Sequence, residues 1–127
     1  MATRTEAHAA PGFDPVVYAR LLTRFRALPR SAPGERWLLL EAAHVVGQTR
    51  FLPHLETHWL MLGQAWRTRD AREMAGQVLR LLLVPLGHLT GRLPIGNPGR
   101  AHISAFRPMA VRADIAETIA QAGPTIP

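Results

Sequence analysis

Three of the six histidines, His44, His54 and His58, fall within fifteen residues, and Glu41 stands three positions before the first of them. Neutral imidazole and carboxylate are the nitrogen and oxygen donors of zinc and copper(II) sites. Side chains three or four apart on a helix share a face, so Glu41 with His44, and His54 with His58, each form a pair able to grip one ion. A tight turn centred near residue 50 sets position 44 level with about 57, and 41 with about 60, across an antiparallel hairpin. The spacing therefore predicts one site made of Glu41, His44, His54 and His58, holding zinc or copper. The alternative is a metal-free polar seam, because a single histidine is more often a core-edge or surface residue.

Other residues are placed to support that site. Gln48 shares the face of Glu41 and His44. Met61, one turn beyond His58, offers a softer donor that would favour copper. Counting about a second turn near residue 69 puts Arg80 level with His58 and Glu73 about 10 Å away. Glu73, Gln77 and Arg80 share one face of their own. A two-iron carboxylate centre fits less well: only Glu41-Ala42-Ala43-His44 has the Glu-x-x-His spacing, and Glu56-Thr57-His58 is one residue short. Cysteine is absent, which excludes thiolate sites, disulfides and a thiol nucleophile. Ser31 and Ser104 are the only serines, and neither sits in a nucleophile elbow. The Gly91–Arg100 stretch lacks the Lys-Ser/Thr of a phosphate loop and reads as a turn. No catalytic residue is identified, and the balance leans away from an enzyme.

These residues need helices to position them. Asp14-Pro15 is a helix start, followed by Tyr18, Leu21, Leu22, Phe25 and Leu28 at helical spacing. Trp37–Val46 reads WLLLEAAHVV, apolar nearly all round, as a central buried helix does. Pro53 opens a third helix with Leu55, Trp59, Leu62 and Trp66 as its apolar stripe. Asp70 caps a fourth, whose core face is read as Met74, Val78, Leu81 and Leu82, and Pro85 with Gly87 should end it. Four helices are expected near 14–28, 35–48, 53–68 and 70–85. Residues 91–109 are rich in Gly and Pro and suggest loop, with a short strand pair around Gly96–Gly99. A short last helix follows over about 113–121. The fold expected is an all-α antiparallel bundle of about four helices: a tail over 1–12, then one domain over 13–122.

The 127 residues carry fifteen basic against nine acidic side chains, a formal charge of +6. All fifteen are arginine, scattered from Arg4 to Arg112, which fits a GC-rich coding bias better than a phosphate-binding stripe. Nucleic acid is therefore not an expected partner. No stretch approaches the roughly 20 apolar residues of a bilayer span, and the N-terminal residues do not read as a signal peptide. A cytoplasmic protein without a membrane partner is the expectation. The rival to metal binding is a non-catalytic interaction or homodimerisation module, with Trp59 and Trp66 as contact residues.

Four phrases stand in order: LLEAAHVVGQ (39–48), HLETHWLML (54–62), RDAREMAGQVLRL (69–81) and GRLPIGNPGRAHISAFRPM (91–109). Together they resemble a small bacterial family defined only as a domain of unknown function, number 3703, over about residues 15–118. The resemblance implies that Glu41, His44, Gln48, His54, His58, Met61, Asp70, Glu73, Gln77, Arg80, Gly96, Asn97, Gly99, Pro108 and Met109 act as a set. It implies no reaction. Pro98 departs from the pattern, where relatives carry threonine.

Overall fold

A computed structural model describes residues 9–123; most of the expected N-terminal tail, residues 1–8, lies outside them. Five helices form among the described residues: α1 (Pro15–Ala27), α2 (Pro33–Gly47), α3 (Phe51–Arg67), α4 (Ala71–Thr90) and α5 (Ala113–Ala122). Local chemistry explains most of the ends. The Asp14 carboxylate accepts from the N–H groups of Val16 and Val17, with Pro15 at the first helical position, where a missing N–H costs nothing. Asp70 caps α4 through the N–H of Glu73. Links of a few residues join α1 to α2, α2 to α3 and α3 to α4, so each helix runs antiparallel to the next.

α2 is the centre. It packs on α1, α3 and α5, and nearly every residue from Arg36 to Gly47 is buried, as its apolar circumference predicts. Leu21, Leu40, Val45, Val46, Met61 and Ile115 form the middle of the core. Arg36 is buried and forms no ion pair among the described residues. Its guanidinium donates to the Phe25 and Leu28 carbonyls, tying off the end of α1, and to the Gln64 amide oxygen on α3.

Three expectations are corrected. Pro85 does not end α4, which continues to Thr90 and closes at Gly91, in the left-handed region at φ 71°. Proline removes one backbone donor, and here it does so at an exposed position of the helix. No strand pair forms around Gly96–Gly99; residues 91–112 are turns and extended chain.

The third correction concerns which faces are buried. α3 buries His54, Thr57, His58, Met61, Gln64 and Ala65, while Trp59 and Trp66 are 65% and 71% exposed. α4 buries Glu73, Gln77, Arg80 and Val84, whereas Val78 and Leu82 point outward. α4 packs on α3 alone among the helices, and α2 does not touch it. The space between α2 and α4 is filled by the 91–112 segment. Its exposed backbone groups need hydrogen-bond partners, and polar helix faces supply them.

Candidate metal centre

Glu41, His44 and Gln48 share a face of α2, and each grips the 91–112 segment. The Glu41 carboxylate takes Arg100 at 3.1 Å and Arg112 at 2.5 Å. His44 Nδ1 meets the Asn97 carbonyl at 2.7 Å. The Gln48 amide donates to the Pro94 carbonyl at 2.9 Å. α4 does the same from the other side. Glu73 receives the Arg100 guanidinium and the Ala101 N–H, Gln77 donates to the Gly99 carbonyl, and Arg80 donates to the carbonyls of Arg100 and Ile103.

Asn97 organises the segment. Its side-chain oxygen accepts from the Gly99 N–H at 2.9 Å, and its amide donates to the carbonyls of Ser104 and Arg107. Gly99 has φ 87°, and a Cβ there would lie 2.9 Å from the His44 ring. Glycine is required on both counts: the left-handed backbone and the imidazole packed against it.

Under this segment His44, His54 and His58 converge. All three are buried, and their Nε2 atoms stand 3.1, 3.1 and 3.2 Å apart. Each Nδ1 points outward to another partner: Asn97 O for His44, Gln77 Oε1 at 2.7 Å for His58, and His88 Nε2 at 2.9 Å for His54. Two tautomers follow from these partners. A backbone carbonyl only accepts, so His44 carries its proton on Nδ1. The Gln77 amide nitrogen is committed to two acceptors, Glu73 Oε1 and Gly99 O, so its oxygen faces His58, which is also protonated on Nδ1. The Nε2 atoms of His44 and His58 are therefore bare lone pairs facing each other.

Burial, first of all, pushes the three imidazoles toward their neutral forms. His44 is held well below the ordinary 6.5, with further lowering from His58 and His54. His54 is pushed down to about 3, by burial and then by His58 and His88. His58 is pushed down to about 4, its bond to Gln77 partly offsetting burial. The unfolded chain takes up these protons near pH 6.5, the folded chain only at lower pH, about 3 for His54 and about 4 for His58. Between those values the unfolded state binds more protons, so stability falls as pH falls, by about 1.4 kcal/mol per pH unit for each proton. The metal-free protein should keep its full stability from this source above about pH 6.5 and lose it progressively toward pH 4. Urea midpoints at pH 7.5, 6 and 5 check this; a flat response would mean the imidazoles reach water.

The triad opens onto a cavity of about 440 Å³. Its walls are mainly Leu83, Val84, Leu86, Leu93, Pro94 and Phe106, and Arg80 and Arg92 also line it.

Of the ligands expected from spacing, His44, His54 and His58 come together and Glu41 does not. Its carboxylate is held away by the two arginines, opposite charges that the sequence alone does not place beside it. Gln77 contacts His58, and Glu73 reaches the triad only through Gln77. Arg80 lies at the cavity wall as its register predicts, but a guanidinium has no acceptor to offer an Nδ1–H, and it turns to carbonyls instead. Met61 is fully buried in the apolar core and is not part of the cavity lining. His88 is absent from every expected set, whereas Asn97 is in the set that the resemblance implies, and the structure adds that its carbonyl meets His44. The Asn-x-Gly spacing at 97–99 is the signal for the turn, and His88 becomes visible only once α4 is carried past Pro85.

The architecture is thus a helical bundle with a buried three-histidine centre, closed on one side by a C-terminal loop. The chain belongs to the family described as Protein of unknown function (DUF3703), whose model matches residues 14–119. No curated protein and no solved structure matches it.

Proposed function

We propose that this protein binds one zinc ion through Nε2 of His44, His54 and His58, with the fourth position left to a non-protein ligand. The observation that carries this reading is the pair of bare lone pairs on His44 and His58 at 3.1 Å. Two facing lone pairs repel, and burial opposes a proton between them, so a metal cation is the species that makes the arrangement favourable. A tetrahedral zinc ion with bonds of about 2.0–2.1 Å spaces its ligand nitrogens about 3.3–3.4 Å apart, close to the spacing here. Copper(II) prefers tetragonal sites, and Met61 is not placed to add a thioether. Hydrogen bonds to all three outer nitrogens are the arrangement that orients metal-binding imidazoles. Three protein donors and one open position are typical of zinc sites that bind a further ligand.

The test is zinc titration of metal-free protein, with X-ray absorption on the product. One zinc per chain, with three imidazole nitrogens at about 2.0–2.1 Å, is expected. A chain that retains no zinc after dialysis is a polar seam instead. Gln77→Met removes the acceptor that orients His58 and should weaken zinc about 10- to 100-fold in competition with a chromophoric chelator.

A second reading, compatible with the first, is self-association. It is favoured by the outward apolar side chains of α3 and α4, with Trp66, Leu82 and Leu89 71%, 72% and 85% exposed. Exposed apolar surface that gathers into a patch marks an interaction site. Sedimentation should give a dimer, and the double variant Trp66→Arg with Leu82→Arg should give a monomer; a monomeric parent sinks this reading.

A further inference from the structure

The cavity above the triad carries an inference that rests on the zinc reading and goes past it. Only three protein donors converge on the metal position: among the described residues no fourth histidine or carboxylate offers an atom to the set. The space beyond is a half-open cavity of about 440 Å³, within the range of small-molecule sites. Its walls are apolar except for Arg80, Arg92, Thr90 and the triad's immediate surroundings.

The charges around it are one-sided. Among the described residues no carboxylate lines the cavity. Arg80 is 6% exposed and donates to the carbonyls of Gly76, Arg100 and Ile103. It forms no ion pair among the described residues, and Arg92 forms none either. The nearest acid along the hydrogen-bond chain, Glu73, is reached from His58 through Gln77 and is already paired with Arg100. A divalent ion on three neutral imidazoles would therefore sit beside a buried arginine with Glu73 as the nearby carboxylate, and that carboxylate is already shared with Arg100. Charges brought out of water need compensation. The missing partner is an anion, and the apolar walls set the character of the rest of it.

We propose that the cavity binds a small organic monoanion, a carboxylate with an apolar body of several carbons, whose head takes the fourth metal position beside Arg80 and whose body lies against Leu83, Leu86, Leu93 and Phe106. Metal and arginine fix the head, and the walls select against short or charged bodies.

Cobalt(II) in place of zinc gives a visible spectrum sensitive to its fourth ligand, which separates this proposal from the reading beneath it. Cobalt-loaded full-length protein is titrated with acetate, hexanoate and hexylammonium at neutral pH. Hexanoate should shift the cobalt bands and bind on the order of a hundredfold more tightly than acetate, since each added methylene leaves water. Hexylammonium should have no effect. In Phe106→Ala, hexanoate should weaken several-fold while acetate does not change. If cobalt binds and its bands ignore hexanoate, or respond equally to acetate and hexanoate, the carboxylate site is overturned and the metal site stands. If hexylammonium binds as well as hexanoate, the charge argument is wrong. If the chain binds no cobalt, the metal reading fails and this proposal with it.

Discussion

Zinc added to the metal-free protein should raise its melting temperature by about 10 °C at a hundredfold excess over Kd. A ligand that binds only the folded chain stabilises it by about 2.7 kcal/mol under that condition, and a chain of this size gains about 4 °C per kcal/mol. His44→Ala and His58→Ala should each abolish the rise, because two imidazoles do not hold the ion against water. His102→Ala should leave it intact: His102 is exposed and outside the triad. The rise should persist through pH 6.5 and shrink toward pH 4, where protons begin to compete for the folded chain's imidazoles. Calorimetric scans of the four proteins with and without zinc decide the matter. An equal rise in His58→Ala and in the parent would place the metal elsewhere.

Glu41→Ala should lower stability by about 3 kcal/mol, the lower end of the range for removing one partner of a buried ion pair. Glu41 is 3% exposed and joins Arg100 from the loop with Arg112 from the start of α5. The loss is at the lower end because Arg100 keeps Glu73, and Arg112 keeps Asp114 and is half-exposed. Urea denaturation measures it. The milder Glu41→Gln should keep zinc affinity within about tenfold of the parent, against the near-complete loss in the histidine variants, because the Glu41 carboxylate is not among the converging donors. A loss as large as that of His58→Ala would return Glu41 to the ligand set.

The pairing of His44 with His54 and His58 was legible in the sequence because it depends on two short-range quantities, the helical repeat and the length of one tight link. The same arithmetic failed for Glu41. It lies one helical turn from His44 and so on the same face, but a shared face does not decide which opposite charge claims a carboxylate. Arg100 and Arg112 are 59 and 71 residues away in the chain. Their arrival depends on the path of the loop.

Hydrophobic pattern misled in an instructive way on α3 and α4. The face of α4 expected to be its core face includes Val78 and Leu82, which are exposed, as are Trp59 and Trp66 on the apolar stripe of α3, and the faces carrying His54, His58, Gln77 and Arg80 are buried. An apolar stripe finds the core only where a core element lies opposite. Opposite the inner face of α4 lies a loop whose carbonyls and N–H groups have few helix or strand partners of their own, and polar side chains supply what that backbone requires.

The sequence by itself determined five helical stretches, their antiparallel order, the central place of α2 and the gathering of three histidines, since propensity, capping and link length are local. The tertiary structure alone decided that Glu41 braces the loop, that His88 and Asn97 orient imidazoles, and that the triad opens on a cavity with cations and, among the described residues, no carboxylate in its lining. Those features arise from residues 91–112 lying between two helices that do not touch, and no local rule fixes where a loop of that length comes to rest.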